Sequence, residues 1–271
     1  MNARVIELPD AKTALETARP FLEARPIEHN LLLTILAQSI EFALGGRFWL
    51  VANDSETIGF ALESPVGMGA VLTPMPASAS RLLADAIAAP LPHMQSEAGT
   101  AAAFAGRWTE RHGTAIRQVE GGRLYELMNL KPVPSVGGTL RLAGSDDRAI
   151  LVEWSRLFIE EAGVVPQNVE EAVDRRLARD QFWVWDDNGI ASMAAASAPA
   201  AGVVRVSHVY TPIAHRGAGY ATACVEGMSR VLIDRGSRCI LYTDLANPTS
   251  NSIYRRIGYE AVAEVLVYKF A

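Results

Sequence analysis

Between His215 and Val225 the chain reads HRGAGYATACV. Two glycines, Gly217 and Gly219, follow Arg216 and stand at the start of a stretch with helical spacing. The first amide groups of a helix have no partner within it and face outward at the positive end of its dipole. Glycine removes the Cβ that would keep an anion from that backbone. Arg216, Gly217, Ala218, Gly219, Tyr220, Ala221 and Thr222 therefore form a candidate cradle for a diphosphate, with the Arg216 charge beside it. The competing reading is a tight strand-to-helix turn that binds nothing. No Gly-Lys-Ser/Thr follows, so a Walker loop is excluded. A dinucleotide fingerprint fits poorly, Asp244 being the nearest acid to end a later strand.

The elements that must hold this cradle alternate along the whole chain. Helical spacing marks ALETARPFLEA (14–24), EHNLLLTILAQSIEFAL (28–44), SASRLLADAIA and TAAAFAGRWTERHG, the last closed by Gly113. RFWLVAND and TIGFALES read as strands around a turn at Asp54 and Ser55, GAVLTPMP as a short strand and RLYELMNL as another. KPVPSVGGT, with its prolines and glycines, reads as a linker. Beyond it the expected order is β-α-α-β-β-β-α-β-α-β, ending in YEAVAEVLVYKF. The pattern predicts an α+β fold in two domains, each a mixed central sheet flanked by helices: 1–131, a linker at 132–138, and 139–271.

An internal echo supports the division. Val71-Leu72-Thr73-Pro74-Met75 resembles Val209-Tyr210-Thr211-Pro212-Ile213, each after a hairpin and before a helix. The first copy lacks the arginine and glycines of the second, and Pro76 stands where an amide donor would help. The 271 residues carry a formal charge of −5 and are 49% hydrophobic. That balance argues against a phosphate-neutralising nucleic-acid binder and for a well-filled core. No apolar stretch is long enough to span a bilayer and MNARVIELPD has no secretory h-region, so a cytoplasmic protein without a membrane or nucleic-acid partner is expected. Cys224 and Cys239 form no metal-ligand pair and read as small buried residues.

VYTPIAHRGAGYATACV followed by LYTDLANPTSNSIYRRIGY resembles the GCN5-related N-acetyltransferases (GNATs). Arg216, Gly219 and Ala221 match their Arg/Gln-x-x-Gly-x-Gly/Ala signature. Asn247, Ser250, Tyr254 and the Gly258-Tyr259 pair match the later Asn-x-x-Ser-x-x-x-Tyr segment. The resemblance covers about Thr139 to Ala271 and implies acetyl-CoA as co-substrate, no metal, and direct attack by a small-molecule or peptide amine. It implies that Val209, Tyr210 and Thr211 pair with the pantetheine amides, that residues 217–222 hold the diphosphate, and that Asn247 and Ser250 contact the cofactor or cap the helix. Tyr254 becomes the general acid for the leaving thiolate. Relatives often carry a glutamate base on the preceding strand; here Ser207 and His208 stand there, and His208 is either a base titrating near neutrality or a packed strand histidine. Glu160 and Glu161 either draw a cationic amine or form a solvated helix end. Aligning Glu97–Phe104 with Asn247–Tyr254 puts Phe104 where the acid belongs, so the first half reads as a degenerate copy. A monomer or homodimer fits equally. An acyl-CoA-binding regulatory module without turnover, and acyl or aminoacyl transfer from another donor, remain alternatives.

Overall fold

The computed structural model describes residues 3–54, 56–163 and 168–271. Within the first copy the chain forms β1 (Ala3–Leu8), α1 (Ala11–Ala24), α2 (Asn30–Glu41), β2 (Arg47–Asn53), β3 (Glu56–Glu63), β4 (Ala70–Leu72), α3 (Ala77–Ala86), β5 (His93–Glu97), α4 (Ala98–His112) and β6 (Ile116–Leu127). The second copy repeats that order as β7 (Thr139–Leu142), α5 (Arg148–Ala162), α6 (Val169–Leu177), β8 (Phe182–Asp186), β9 (Ile190–Ala196), β10 (Val203–Tyr210), α7 (Tyr220–Asp234), β11 (Arg238–Asp244), α8 (Pro248–Ile257) and β12 (Tyr259–Phe270). The β-α-α-β-β-β-α-β-α-β order expected for the second half is thus present in both. β5 is the element that periodicity missed, because HMQSE is short and largely polar. The turn expected at Asp54 and Ser55 is entered by Asp54 in the left-handed region, φ 47°; Ser55 lies outside the described residues.

By packing, the chain divides into two units: 1–124 with 243–247 and 261–271, and 125–242 with 248–260. This differs from the division at 132–138. The expected linker lies inside the second unit, where Val133 packs on its core. The carboxy-terminal Ala261–Ala271 returns to the first unit, because β12 pairs antiparallel with β5 from Val265↔Glu97 to Lys269↔His93. Conversely Tyr125 and Leu127, at the end of β6, are buried in the core of the second unit. A chain cut by sequence position would sever these exchanged strands, which is why the linker composition misled.

In the first unit β1 to β4 pair antiparallel and β4 pairs parallel with β5. Its core gathers Trp49, Leu72, Leu83, Met94, Phe104 and Trp108, and Phe270 closes it from β12. In the second unit β7 to β10 pair antiparallel and β10 pairs parallel with β11. Alternation along the strands separates two apolar layers. Ala194, Val204 and Val206 meet Cys224, Val225 and Met228 of α7 on one face. Met193, Ala195 and Tyr210 meet Leu151 and Trp154 of α5 and Val173 of α6 on the other. Cys224 and Cys239 are buried, and burial pushes both thiols up to about 12, so neither is a reactive thiolate.

Phe270 tests the exchanged strand. Its ring is 7% exposed and lies 5.8 Å from that of Trp108. Phe270→Ala is expected to cost about 3–5 kcal/mol, with amide exchange accelerating first in β5 and α4. Acceleration confined to the second unit would contradict the assignment.

Candidate functional site

The cradle forms as the residues dictate. After β10, Pro212 opens a short 3₁₀ turn over Ile213–His215, and Arg216 is extended. Gly217 and Gly219 follow at φ 82° and 94°, a region costly for any residue with a Cβ. At Gly219 a Cβ would also come within 3.0 Å of Val136 Cγ1. Gly219 caps α7 without a side-chain hydrogen bond, and the first amide of this turn to find a carbonyl is that of Ala223, which bonds Gly219 O at 3.0 Å. The amide hydrogens of Gly217, Ala218, Gly219, Tyr220, Ala221 and Thr222 have no partner among the described residues. Tyr220 fixes the turn from the side: its hydroxyl donates to Asp187 Oδ2 at 2.6 Å, a bond that raises the phenol pKa.

Arg216 is not aimed at this row of donors. Its Nε donates to the Thr211 carbonyl at 2.8 Å, and its Nη2 reaches both carboxylate oxygens of Glu161 at 2.7 and 2.8 Å. The guanidinium carbon lies 5.7 Å from the Tyr210 ring centroid. The expectation of a free charge beside the cradle is therefore corrected: Arg216 ties the end of β10 to the end of α5. Glu161 sits at the solvated end of α5, half exposed, with its carboxylate held by Arg216. Glu160 lies beside it in the last turn of α5.

Ahead of the cradle β10 carries a bulge. Its pairing with β9 runs Val206↔Ala196 and Ser207↔Ala195, then resumes at Tyr210↔Met193, so His208 and Val209 together face Ala194. His208 takes φ 50°, in the left-handed region. On the other side, register with β11 ends at Val206↔Leu241 although β10 continues to Tyr210. The backbone of Ser207–Tyr210 thus leaves its parallel neighbour, opening a strand edge next to the cradle. Thr211 is held beyond it by Ser192, the two hydroxyls 2.9 Å apart.

The bulge also decides the state of His208. The ring stacks on Phe158 at 5.0 Å and meets Phe182 edge-on at 6.3 Å, with Nδ1 3.3 Å from Ser207 Oγ. Removal from water, then the charges of Arg176 and Arg205, lower its pKa to about 3. The expectation of a base titrating near neutrality is corrected accordingly: the imidazole is neutral but a poor proton acceptor.

Tyr254 lies in α8, 8% exposed, in the apolar cluster that holds Cys224 and Val225 of α7 and Leu241 of β11; Val209 packs on the same cluster. Burial raises its phenol to about 12, so the proton stays on through neutral pH. Its hydroxyl makes no hydrogen bond among the described residues. The structure thus brings Tyr254, Val209 and the head of α7 together. Pro248 opens α8 at its first position, as its missing amide allows. Ser250 is half-buried in that first turn, whereas Asn247 is exposed and packs with the first unit. Gly258 and Tyr259 serve the fold: a Cβ at Gly258, φ 110°, would collide with the Asn129 carbonyl, and the Tyr259 hydroxyl lies 2.9 Å from Ser229 Oγ of α7. Sequence reasoning missed Tyr125, whose hydroxyl donates to Asn251 Oδ1 at 3.0 Å and so steadies α8; nothing in its strand pattern marks it.

The corresponding place in the first unit is closed. Ser96 Oγ donates to the Leu72 carbonyl at 3.0 Å, where β4 ends. Thr100 Oγ1 donates to the Met75 carbonyl at 3.1 Å and accepts from the Met75 amide at 3.0 Å. The amide of Ser80 is already bonded to Pro76 O at 3.0 Å. Phe104 is fully buried in α4, with no proton to give.

Residues 189–267 match the family model described as FR47-like protein. A comparison with curated proteins finds no significant sequence match. Among solved structures, a GNAT-family acetyltransferase from Colwellia psychrerythraea aligns with a TM-score of 0.67 at 9% identity, over 99% of this chain and 100% of that one. A GCN5-related N-acetyltransferase from Sphaerobacter thermophilus gives 0.62 at 18% identity, over 97% and 94%. A tandem GNAT protein from the clavulanic acid biosynthesis pathway gives 0.57 at 12% identity, over 100% and 98%. The fold expected from the motifs agrees with these matches.

The His208 ring supplies a measurement. Between pH 6.5 and about 3 the unfolded chain binds a proton there that the folded chain does not. Stability is therefore lost as pH falls through that window. His208→Gln should flatten this part of the curve in denaturant titrations; parallel curves for the two proteins would show the ring to be solvated.

Proposed function

We infer that this chain, which has the fold of the GCN5-related N-acetyltransferases, is an acyl-CoA-dependent N-acyltransferase that passes an acetyl group from acetyl-CoA to a primary amine. One observation carries the reading: a row of unpaired amide hydrogens at 217–222 lies beside the strand edge that β10 opens on leaving β11. Main-chain donors at a helix head suit a diphosphate. The edge that β10 turns away from β11 ahead of Thr211, whose own carbonyl is held by Arg216, suits the pantetheine amides as an added strand along Val209–Thr211. The fit extends to Gly217 and Gly219, whose missing Cβ atoms leave the donors open.

The thioester supplies the activated acyl group. The amine nitrogen bonds to its carbonyl carbon, and the carbon–sulfur bond breaks. The nitrogen gives up one proton to solvent. The sulfur takes one from the Tyr254 phenol, which is replenished from solvent. Burial keeps Tyr254 protonated at neutral pH, the state a general acid needs. Neither His208 nor Arg216 takes part in proton transfer in this scheme. The first unit, with its cradle closed, supports the tandem arrangement without binding a second coenzyme. A cytoplasmic setting, as a monomer or homodimer, completes the proposal; no helix among the described residues is long and apolar enough to cross a membrane.

Tyr254→Phe should leave coenzyme A affinity intact and slow thiol release by roughly 10²–10⁴-fold. Unchanged turnover would remove the phenol from the chemistry, and an absence of turnover in the unaltered chain would leave a binding module. Calorimetric titration should give one coenzyme A site per chain; two equivalent sites would overturn the reading of the first unit. Gly219→Ala, forced to φ 94° against Val136, should weaken coenzyme A binding about tenfold. Arg216→Gln should weaken it less, because that charge is spent on Glu161.

A further inference from the structure

α8 is ten residues long, and three of its side chains are buried: Asn251, Tyr254 and Ile257. Their spacing puts them on one helix face. A helix so short has little stability of its own and takes its place from tertiary contacts. Tyr254 makes no hydrogen bond that would aim it. Its hydroxyl has no partner among the described residues, and its ring meets that of Tyr259 edge-on, with centroids 6.0 Å apart. The direction of the phenol is therefore set by how the helix is held on either side of it, at Asn251 and at Ile257.

Both positions are held by one stretch of chain, the end of β6 and the residues that follow. Behind Tyr254, the Lys131 amide donates to the Ile257 carbonyl at 2.8 Å and the Met128 amide to the Gly258 carbonyl at 3.3 Å. Ahead of it, the Tyr125 hydroxyl donates to Asn251 Oδ1 at 3.0 Å and accepts from Arg255 Nε at 3.3 Å. Asn251 and Arg255 lie one turn apart, so a single hydroxyl spans the turn that carries Tyr254. Tyr125 is fully buried, and its ring belongs to the apolar cluster that also holds Tyr254. In surroundings of low polarity such a bond is stronger than in water.

Resting on the reading of Tyr254 as general acid, we propose that Tyr125 is a positioning residue for the transfer: through Asn251 and Arg255 its hydroxyl sets the rotation of α8 that carries the Tyr254 phenol to the thioester sulfur. Tyr125 touches no reacting group and moves no proton. Its part is geometric. Proton transfer needs the donor within hydrogen-bond reach, and a displacement of about 1 Å can cost about 10²-fold in rate.

Tyr125→Phe keeps the ring and removes the hydroxyl. The test uses the full chain, acetyl-CoA and a panel of primary amines spanning amino acids, aminosugars and polyamines, read by thiol release. Tyr125→Phe should lower kcat about tenfold, with the KM for acetyl-CoA and the calorimetric affinity for coenzyme A nearly unchanged. In the ligand-free chain, amide exchange should quicken in α8 ahead of α7 and β11. The melting temperature should fall by about 2–4 °C, as for the loss of one hydrogen bond. The double variant is decisive. If Tyr125 acts through Tyr254, adding Tyr125→Phe to Tyr254→Phe should leave turnover where Tyr254→Phe alone puts it. Multiplied losses would make Tyr125 a general support of the fold and overturn the proposal, as would a loss carried by KM and coenzyme A affinity. A slowed Tyr254→Phe beside an unaffected Tyr125→Phe would overturn the positioning role alone. Full turnover in Tyr254→Phe would instead sink the general-acid reading and this proposal with it.

Discussion

The single extra residue in β10 is the constraint on which the second unit depends. Two residues, His208 and Val209, face Ala194, so the strand bends and its edge turns from β11. A non-glycine residue in the left-handed region costs of order 1–3 kcal/mol. Here the His208 ring offsets that cost by packing between Phe158 and Phe182. The same stacking that holds the bulge removes the imidazole from water and takes it out of proton chemistry. The bulge thus exposes a row of main-chain groups, and the side chain that stabilises it cannot serve as the base.

The two copies separate what a fold provides from what a site requires. Both have strands in one order, with a parallel pair after an antiparallel series. In the first, Ser96 and Thr100 bond the backbone at Leu72 and Met75. Hydroxyls of the unit's own chain occupy the groups that a ligand would use. In the second, Ser192 and Arg216 also bond the carbonyls of Tyr210 and Thr211, and it is the amides of 217–222 at the head of α7 that have no partner among the described residues. The difference lies in a few short polar side chains and two glycines, not in topology.

Charge placement follows the same logic. Arg216 and Glu161 form a surface pair, with side chains 45% and 47% exposed, worth about 0–1 kcal/mol. Its effect is positional: it joins the end of β10 to the end of α5.

The sequence by itself determined most of the elements, the repeat and the glycine turn at the head of α7. Their signals are local: Gly217 and Gly219 before a helix, Pro248 at a helix start, hydrophobic spacing along each segment. Tyr254 was legible because its spacing from Asn247 and Gly258 lies within one helix and its end. Tertiary structure alone decided where the carboxy-terminal strand went, since pairing of Val265 with Glu97 joins residues far apart in the chain and HMQSE carries little strand signal. It alone decided that Arg216 would meet Glu161 and that His208 would stack on Phe158 beside Phe182. Ionisation and pairing depend on which groups approach through space and how much water is left between them, and no periodicity along a chain encodes that.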